Sequence, residues 1–299
     1  MTIVVAGPSK ASSDIARGIA EAMGSRMVTV ESKRFPDGES YVRIPEDLGG
    51  EDVIVVHTMA SPQDRSVMEL AMLVDAARGL GASRVIAVAP YTAYSRQDTR
   101  FLPGEPVSIA VVLKLLYASG STGFATVEIH KEHSLRHYPG KAVNVRPYTF
   151  MARSIGLGGD ILVLAPDQGA LPRAEGLARS IDAEYDYLVK HRDRVTGEVV
   201  IEPKNIDVNG REVLIVDDII STGGTIAKAA KSLLSMGAKR VNVMVAHLLG
   251  IPGSIERIAS SGVERIYAAY TLPRVDDPRV SYIDVSSLIA GEVSRGFKL

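Results

Sequence analysis

The chain contains no cysteine, which excludes disulfides and cysteine-ligated metal sites and fits a reducing compartment. Neither charge is in excess: 34 Lys and Arg stand against 35 Asp and Glu, a formal net charge of −1. Near-neutrality argues against nonspecific binding to nucleic acid or an anionic membrane, while leaving room for a local basic site. No apolar stretch approaches the roughly 18 residues of a membrane-spanning helix. The short run in MTIVVAGPSK stops at Gly7-Pro8 with no basic residue ahead of it, unlike a secretory signal. The expected setting is therefore cytoplasmic, with neither nucleic acid nor membrane as a partner. A Walker loop is also missing, since no glycine-lysine pair is followed by serine or threonine.

With 299 residues, 46% hydrophobic and 23% charged, the chain can form one large or two ordinary globular domains. Short β-branched runs (TIVVA, VIVVHT, RVIAVAPY, ILVLAPD, EVLIVDD, RVNVMVAHLL) have the character of buried strands, and helical patterns separate many of them. That alternation predicts an α/β fold with mainly parallel sheets flanked by helices. The chain also repeats itself. Glu51 to Val85 and Arg211 to Val241 both read strand, loop, helix and then Gly-Ala-x-Arg-Val, offset by 160 residues at the first strand and 156 at the second. A period near half the chain predicts two duplicated domains, 1–145 and 146–299, although no Pro/Gly-rich linker marks the division.

The copies differ where chemistry would sit. The first has His57-Thr58; the second has Asp217-Asp218 followed by Ser221-Thr222-Gly223-Gly224-Thr225. In parallel α/β folds ligands lie beyond the carboxyl ends of strands, where such a loop falls. The glycines permit close approach of backbone to ligand, the following helix offers unpaired N–H groups, and the hydroxyls add donors, a combination suited to a phosphate monoester. Asp217 and Asp218 would repel that phosphate, so they should face another part of the ligand. Vicinal sugar hydroxyls fit best, and the expected ligand is a ribose phosphate. The plainer alternative is a tight turn with the aspartates capping the helix.

VLIVDDIISTGGT resembles the PRPP-binding signature of the type I phosphoribosyltransferase-like superfamily, and further motifs resemble the ribose-phosphate pyrophosphokinase (PRPP synthetase) family within it. The resemblance implies two phosphoribosyltransferase-like (type I) domains. In RFPDGESYVRI, Phe35, Asp37, Gly38 and Glu39 match the family's F-x-D-G-E stretch, which implies stacking on, and hydrogen bonding to, the adenine of ATP. In PYTAYSRQDTRFLPGEPVS, Arg96, Gln97 and Asp98 match a second nucleotide-binding motif; Arg100 could serve as well as Arg96. VEIHKEHSL implies that His130 meets Mg²⁺–ATP, and LVLAPDQGALPRAEGLA implies a metal or ribose contact for Asp167, with Arg173 either a ligand or a carboxylate's partner. YLVKHRDRV matches the family's catalytic loop through Lys190 and Arg192, with Arg194 a further cation. The chain departs from the family pattern at Ser221, where many members are acidic, at Glu128 in place of aspartate, and at His133 in place of glutamine.

The resemblance implies transfer of a pyrophosphoryl group from Mg²⁺–ATP to the 1-hydroxyl of ribose 5-phosphate, giving PRPP and AMP. Lys190 and Arg192 would be catalytic. Arg192, Asp217, Asp218, Ser221, Thr222, Gly223, Gly224 and Thr225 would hold the sugar phosphate. Magnesium is the implied cofactor and a homo-oligomer, dimer or hexamer, the implied assembly, with the ATP site near a subunit interface. The rival readings are a phosphoribosyltransferase consuming PRPP and a nucleobase, and a non-catalytic regulatory subunit. The first leaves the nucleotide motifs unused, and the second sits poorly with a retained cationic loop.

Overall fold

The structure, a computed structural model, describes the backbone of residues 2–192 and 199–299 and the side chains of 2–189 and 203–299. The chain forms two units, one of Met1–Arg146, Thr271–Pro273 and Asp284–Leu299, the other of Pro147–Tyr270 and Arg274–Ile283. The first unit runs β1 (Thr2–Ala6), α1 (Lys10–Met23), β2 (Arg26–Thr29), β3 (Glu31–Arg34), β4 (Ser40–Arg43), β5 (Asp52–Val56), α2 (Gln63–Gly79), β6 (Arg84–Ala89), α3 (Ser108–Ala118), β7 (Gly123–Val127) and β8 (Lys141–Val145). The second runs α4 (Tyr148–Ser154), β9 (Ile161–Ala165), α5 (Leu171–Ser180), β10 (Glu184–Arg192), β11 (Val199–Pro203), β12 (Glu212–Ile220), α6 (Gly224–Ser235), β13 (Arg240–Leu248), α7 (Ser254–Ala259), β14 (Ile266–Ala269) and β15 (Val280–Ile283). A last helix, α8 (Ser286–Phe297), returns to the first unit.

The first sheet has the order β2-β1-β5-β6-β7-β8 and is parallel throughout. The second has the order β11-β10-β9-β12-β13-β14-β15, parallel except for the antiparallel β10–β11 pair. From β10 to β15 it repeats the topology of the first sheet position by position. Strands β5 and β12 begin 160 residues apart and β6 and β13 begin 156 apart, the offsets of the sequence repeat. Helices cover both faces of such sheets, which is why Val53 to Val56 and Val213 to Val216 are buried without alternation. The antiparallel β3–β4 hairpin stands apart from the first sheet.

A division at 145/146 would leave the end of the chain in the second half, but 284–299 belongs to the first unit. The reason is packing. Ile289, Ala290, Val293 and Phe297 form one buried stripe of α8, which lies against α1, β7 and β8. Full burial of side chains such as Ile289 and Val293 contributes about 1.5–3 kcal/mol each. Helix α4 lies against α5 and β13 in the second unit, so each unit is finished by a helix from outside its own β1-to-β8 or β9-to-β15 run. No helix among the described residues is long and apolar enough to cross a membrane.

Gly123 leaves room for the Phe297 ring of α8. A Cβ added at Gly123 would lie 2.4 Å from Phe297 Cε1. Gly123→Ala is therefore expected to lower the unfolding free energy by about 1–3 kcal/mol through overpacking. Phe297→Leu in the same chain should recover part of that loss, as coupled neighbours do. Urea denaturation of the two single variants and the double variant measures it; simple additivity would refute the contact.

Candidate functional site

Strand ends in both units carry the polar groups. In the second unit, β12 is a central strand between β9 and β13 and ends in Asp217-Asp218-Ile219-Ile220 before turning into α6. The turn depends on Gly223, whose φ of 74° is left-handed and costs little only without a Cβ. A Cβ there would also stand 2.8 Å from the Ser254 carbonyl and 2.9 Å from Ile258, because α7 packs tightly behind the loop. Gly223 is the N-cap of α6 and provides no side-chain cap. The aspartates do not fill that role, since both lie in the strand. The first turn of α6 thus presents backbone N–H groups and the positive end of the helix dipole to whatever faces the loop. Thr222 and Thr225 are exposed and Ser221 and Gly224 half-buried, so all four line an open surface.

The acid pair is held rigidly. Asp218 is only 4% exposed, and its backbone N–H donates to Asp217 Oδ1 at 2.9 Å. Tyr148 Oη donates to the Asp217 carbonyl at 2.8 Å. Arg173, on α5, reaches Asp218 Oδ2 at 3.6 Å, so it partners a carboxylate. Burial, reinforced by the neighbouring charge of Asp218 and only partly offset by Arg173, pushes the Asp217 carboxyl far above the usual carboxylate range. Asp167, at the end of β9, is exposed, and its carboxylate accepts from Ala170 N at 3.1 Å. Arg257 on α7 donates to the Thr222 carbonyl at 3.3 Å. Nothing in the local sequence of α7 pointed to this cation, because the contact spans 35 residues of chain.

In the first unit the residues of three motifs lie at two places. The loops after β6 and β7 meet through Asp98 and His133, and Thr92 Oγ1 of the first is 2.7 Å from Thr126 Oγ1 near the end of β7. Arg96 is exposed on the first loop, while the Gln97 side-chain oxygen accepts from Ser108 Oγ at the start of α3. Asp98 Oδ2 lies 3.1 Å from Nε2 of His133 on the second loop, which also carries the half-buried His130. Both loops hold a non-glycine residue in left-handed backbone, Tyr94 (φ 62°) and Glu128 (φ 37°). Such residues cost of order 1–3 kcal/mol and cluster at functional sites. Phe35, Asp37, Gly38 and Glu39 lie elsewhere, at the exposed turn of the β3–β4 hairpin. There Phe35 meets Tyr41 edge-on, Lys33 Nζ lies 5.0 Å from both ring centres, and Asp37 Oδ1 accepts from Glu39 N at 3.1 Å.

The backbone of Lys190 and Arg192 belongs to β10, paired antiparallel with β11. Their side chains, and all of Arg194, lie outside the described residues. Among the described residues no group of three or more His, Asp or Glu side chains forms a ready metal cage.

Strand-end polar groups and a helix without a side-chain cap stand on a duplicated parallel sheet. Residues 150–270 match the model of the phosphoribosyl transferase domain, and residues 3–120 match that of the N-terminal domain of ribose phosphate pyrophosphokinase. A ribose-phosphate pyrophosphokinase of Aeropyrum pernix is 42% identical over 297 residues, spanning 98% of this chain and 96% of the relative. One from Saccharolobus solfataricus is 42% identical over 290 residues, spanning 96% and 99%. The crystal structure of phosphoribosylpyrophosphate synthetase from Mycobacterium smegmatis superposes with a TM-score of 0.89 at 26% identity, covering 99% of both chains. The chain belongs to the ribose-phosphate pyrophosphokinase family.

The raised Asp217 carboxyl has a measurable consequence. A carboxyl whose folded pKa exceeds its unfolded value near 3.9 stabilises the fold fully at acid pH, and that contribution is lost as pH rises through the folded pKa. Asp217→Asn keeps an oxygen for Asp218 N and cannot ionise. Its stability relative to the parent chain should grow with pH, by at least the roughly 1.4 kcal/mol that one pKa unit represents. Urea midpoints from about pH 5 to about pH 9 test this, and parallel profiles would contradict it.

Proposed function

We propose that this chain is a ribose-phosphate pyrophosphokinase that transfers the β,γ-pyrophosphoryl group of ATP to the 1-hydroxyl of ribose 5-phosphate, yielding PRPP and AMP. The observation that carries the reading is the end of β12. It sets an acid pair beside a left-handed glycine turn and an uncapped helix N-terminus, all on the second copy of a duplicated sheet. Ser221, Thr222, Gly223, Gly224 and Thr225 hold the 5-phosphate through hydroxyl and backbone donors. Asp217 and Asp218 accept from the ribose diol, and Arg173 keeps Asp218 oriented. Phe35 stacks on adenine, Asp37 and Glu39 accept from its amine, and Gly38 supplies the bend between them. Arg96 neutralises triphosphate oxygens, Gln97 meets polar groups of the nucleotide, and Asp98 fixes its loop through His133.

In the reaction the 1-hydroxyl oxygen attacks the β-phosphorus in line, the bond from that phosphorus to the AMP oxygen breaks, and the hydroxyl proton leaves to solvent. Lys190 and Arg192 stabilise charge on the transferring group and on departing AMP, and Arg192 also contacts the sugar phosphate. The cofactor is Mg²⁺, which when bound neutralises and polarises the triphosphate. A hard cation of this kind takes one or two carboxylates and otherwise water and phosphate oxygens, so the exposed Asp167 carboxylate fits it, while the His130 imidazole acts through water. The exposed hairpin tip, far along the chain from the sugar-phosphate loop, is suited to serving a neighbouring copy in a homo-oligomer, dimer or hexamer. The cytoplasm is the corresponding compartment.

Purified protein with Mg²⁺, ATP and ribose 5-phosphate should release AMP. Release of ADP would indicate a simple kinase, and dependence on a nucleobase a transferase. Lys190→Ala should lower kcat on the order of a hundredfold, with the KM for ribose 5-phosphate changed far less. Turnover within about threefold of the parent would rule out that role for Lys190.

A further inference from the structure

The first unit has its own polar cluster at the strand end that corresponds to the acid pair. His57, 160 positions before Asp217, is 1% exposed just beyond β5. Its Nδ1 is 3.0 Å from Ser12 Oγ and its Nε2 is 3.1 Å from Glu69 Oε2. Ser12 Oγ accepts from Thr58 N at 3.0 Å and lies 2.7 Å from Ser9 Oγ, and because the Glu69 carboxylate can only accept, the imidazole donates to it from Nε2. Glu69, on α2 and 4% exposed, also accepts at Oε1 from Arg65 Nε at 2.6 Å and from Ser40 Oγ at 2.8 Å. Burial raises the pKa of this carboxyl, and the hydrogen bonds from His57, Arg65 and Ser40 more than reverse that, holding it at about 2. Glu69 is thus a permanent anion with three directed partners.

Ser40 is the informative partner, because it directly follows Glu39. The hairpin from Glu31 to Glu39 is exposed along its whole length. Its tip is closed on itself by Phe35 N to the Glu39 carbonyl and Gly38 N to the Phe35 carbonyl, both 2.9 Å. Those bonds fix the shape of the tip but not its attachment to the unit. The Ser40–Glu69 bond supplies an attachment one residue from the tip, made to a carboxylate that His57 and Arg65 hold still. We infer that Glu69 is a positioning residue which, through Ser40, holds the Phe35–Glu39 tip in the orientation that receives the nucleotide base. The inference rests on the proposed adenine-binding role of that tip.

The experiment compares Ser40→Ala, Ser40→Thr and Phe35→Ala in the full chain, reading kcat and the KM for ATP and for ribose 5-phosphate, with the urea midpoint as a control. Ser40→Ala leaves His57, Arg65 and Glu69 in place. Losing a hydrogen bond to a charged group should raise the KM for ATP about tenfold, with kcat and the KM for ribose 5-phosphate within about twofold. Ser40→Thr keeps the hydroxyl and should restore the parent value. If Phe35→Ala raises the KM for ATP but Ser40→Ala does not, the positioning role is wrong while the tip still binds nucleotide. If neither variant moves that KM, the adenine reading of the tip is wrong and the inference falls with it. If Ser40→Ala shifts both KM values together with the urea midpoint, and threonine does not restore them, Glu69 acts on the fold alone and the inference is overturned.

Discussion

Two demands of opposite sign meet within nine residues of chain. The end of β12 carries two carboxylates, and the start of α6 presents the positive end of a helix with no side-chain cap. An anion drawn to the helix would be repelled by the acids unless chain geometry kept the two apart and the acids carried less than their full charge. Both conditions are met. The left-handed Gly223, pressed against the Ser254 carbonyl, turns the chain sharply between the two groups. Burial makes Asp217 retain its proton beyond the pH at which an ordinary carboxyl releases it, and Arg173 stands beside Asp218. The arrangement therefore favours a ligand with an anionic end and a hydroxyl-bearing end over a simple anion.

The duplicated sheet makes this site instructive, since the same strand end exists twice on the same topology. In the first unit His57 finds Ser12 and Glu69 within the protein, and Thr58 Oγ1 donates to the Thr271 carbonyl at 2.6 Å. Polar groups satisfied in this way gain little from an external ligand and would lose their partners to admit one. In the second unit Arg173 reaches Asp218 Oδ2 at 3.6 Å, and the first turn of α6 has no side-chain cap. At this strand end the first copy uses its polar groups for internal contacts, and the second sets its acid pair beside the turn into α6. The hairpins follow the same pattern: β3–β4 follows β2, and the β10–β11 pair begins at β10, the strand in the matching sheet position.

Much of this was legible in the sequence because it depends on local pattern. Buried β-branched runs, the 160- and 156-residue offsets and the loops placed after β6, β7, β9 and β12 follow from periodicity and from the rule that ligands lie beyond strand ends. Long-range packing was not legible. The stripe of Ile289, Val293 and Phe297 on α8 reads only as a buried face and does not say which sheet buries it. Glu69 reads as an ordinary charge on α2, since the 29-residue span to Ser40 has no sequence signal. The raised Asp217 carboxyl depends first on burial, which the Asp-Asp pair does not fix, although the adjacent charge of Asp218 that adds to it is visible in the sequence.

The first unit is completed only by the last helix of the chain. The first unit's sheet is encoded before residue 146, yet the helix lying on α1, β7 and β8 begins at Ser286, after the whole second unit. Until that helix docks, Gly123 of β7 and the face of α1 that it packs on lack their cover, and closing so long a loop delays the contacts that repay its entropy. The second unit has α4 immediately ahead of β9, so its equivalent helix is local in sequence. The unit that carries the acid pair can therefore complete itself from contiguous chain, apart from β15. The unit that carries the hairpin tip cannot reach its native packing until the last helix is in place.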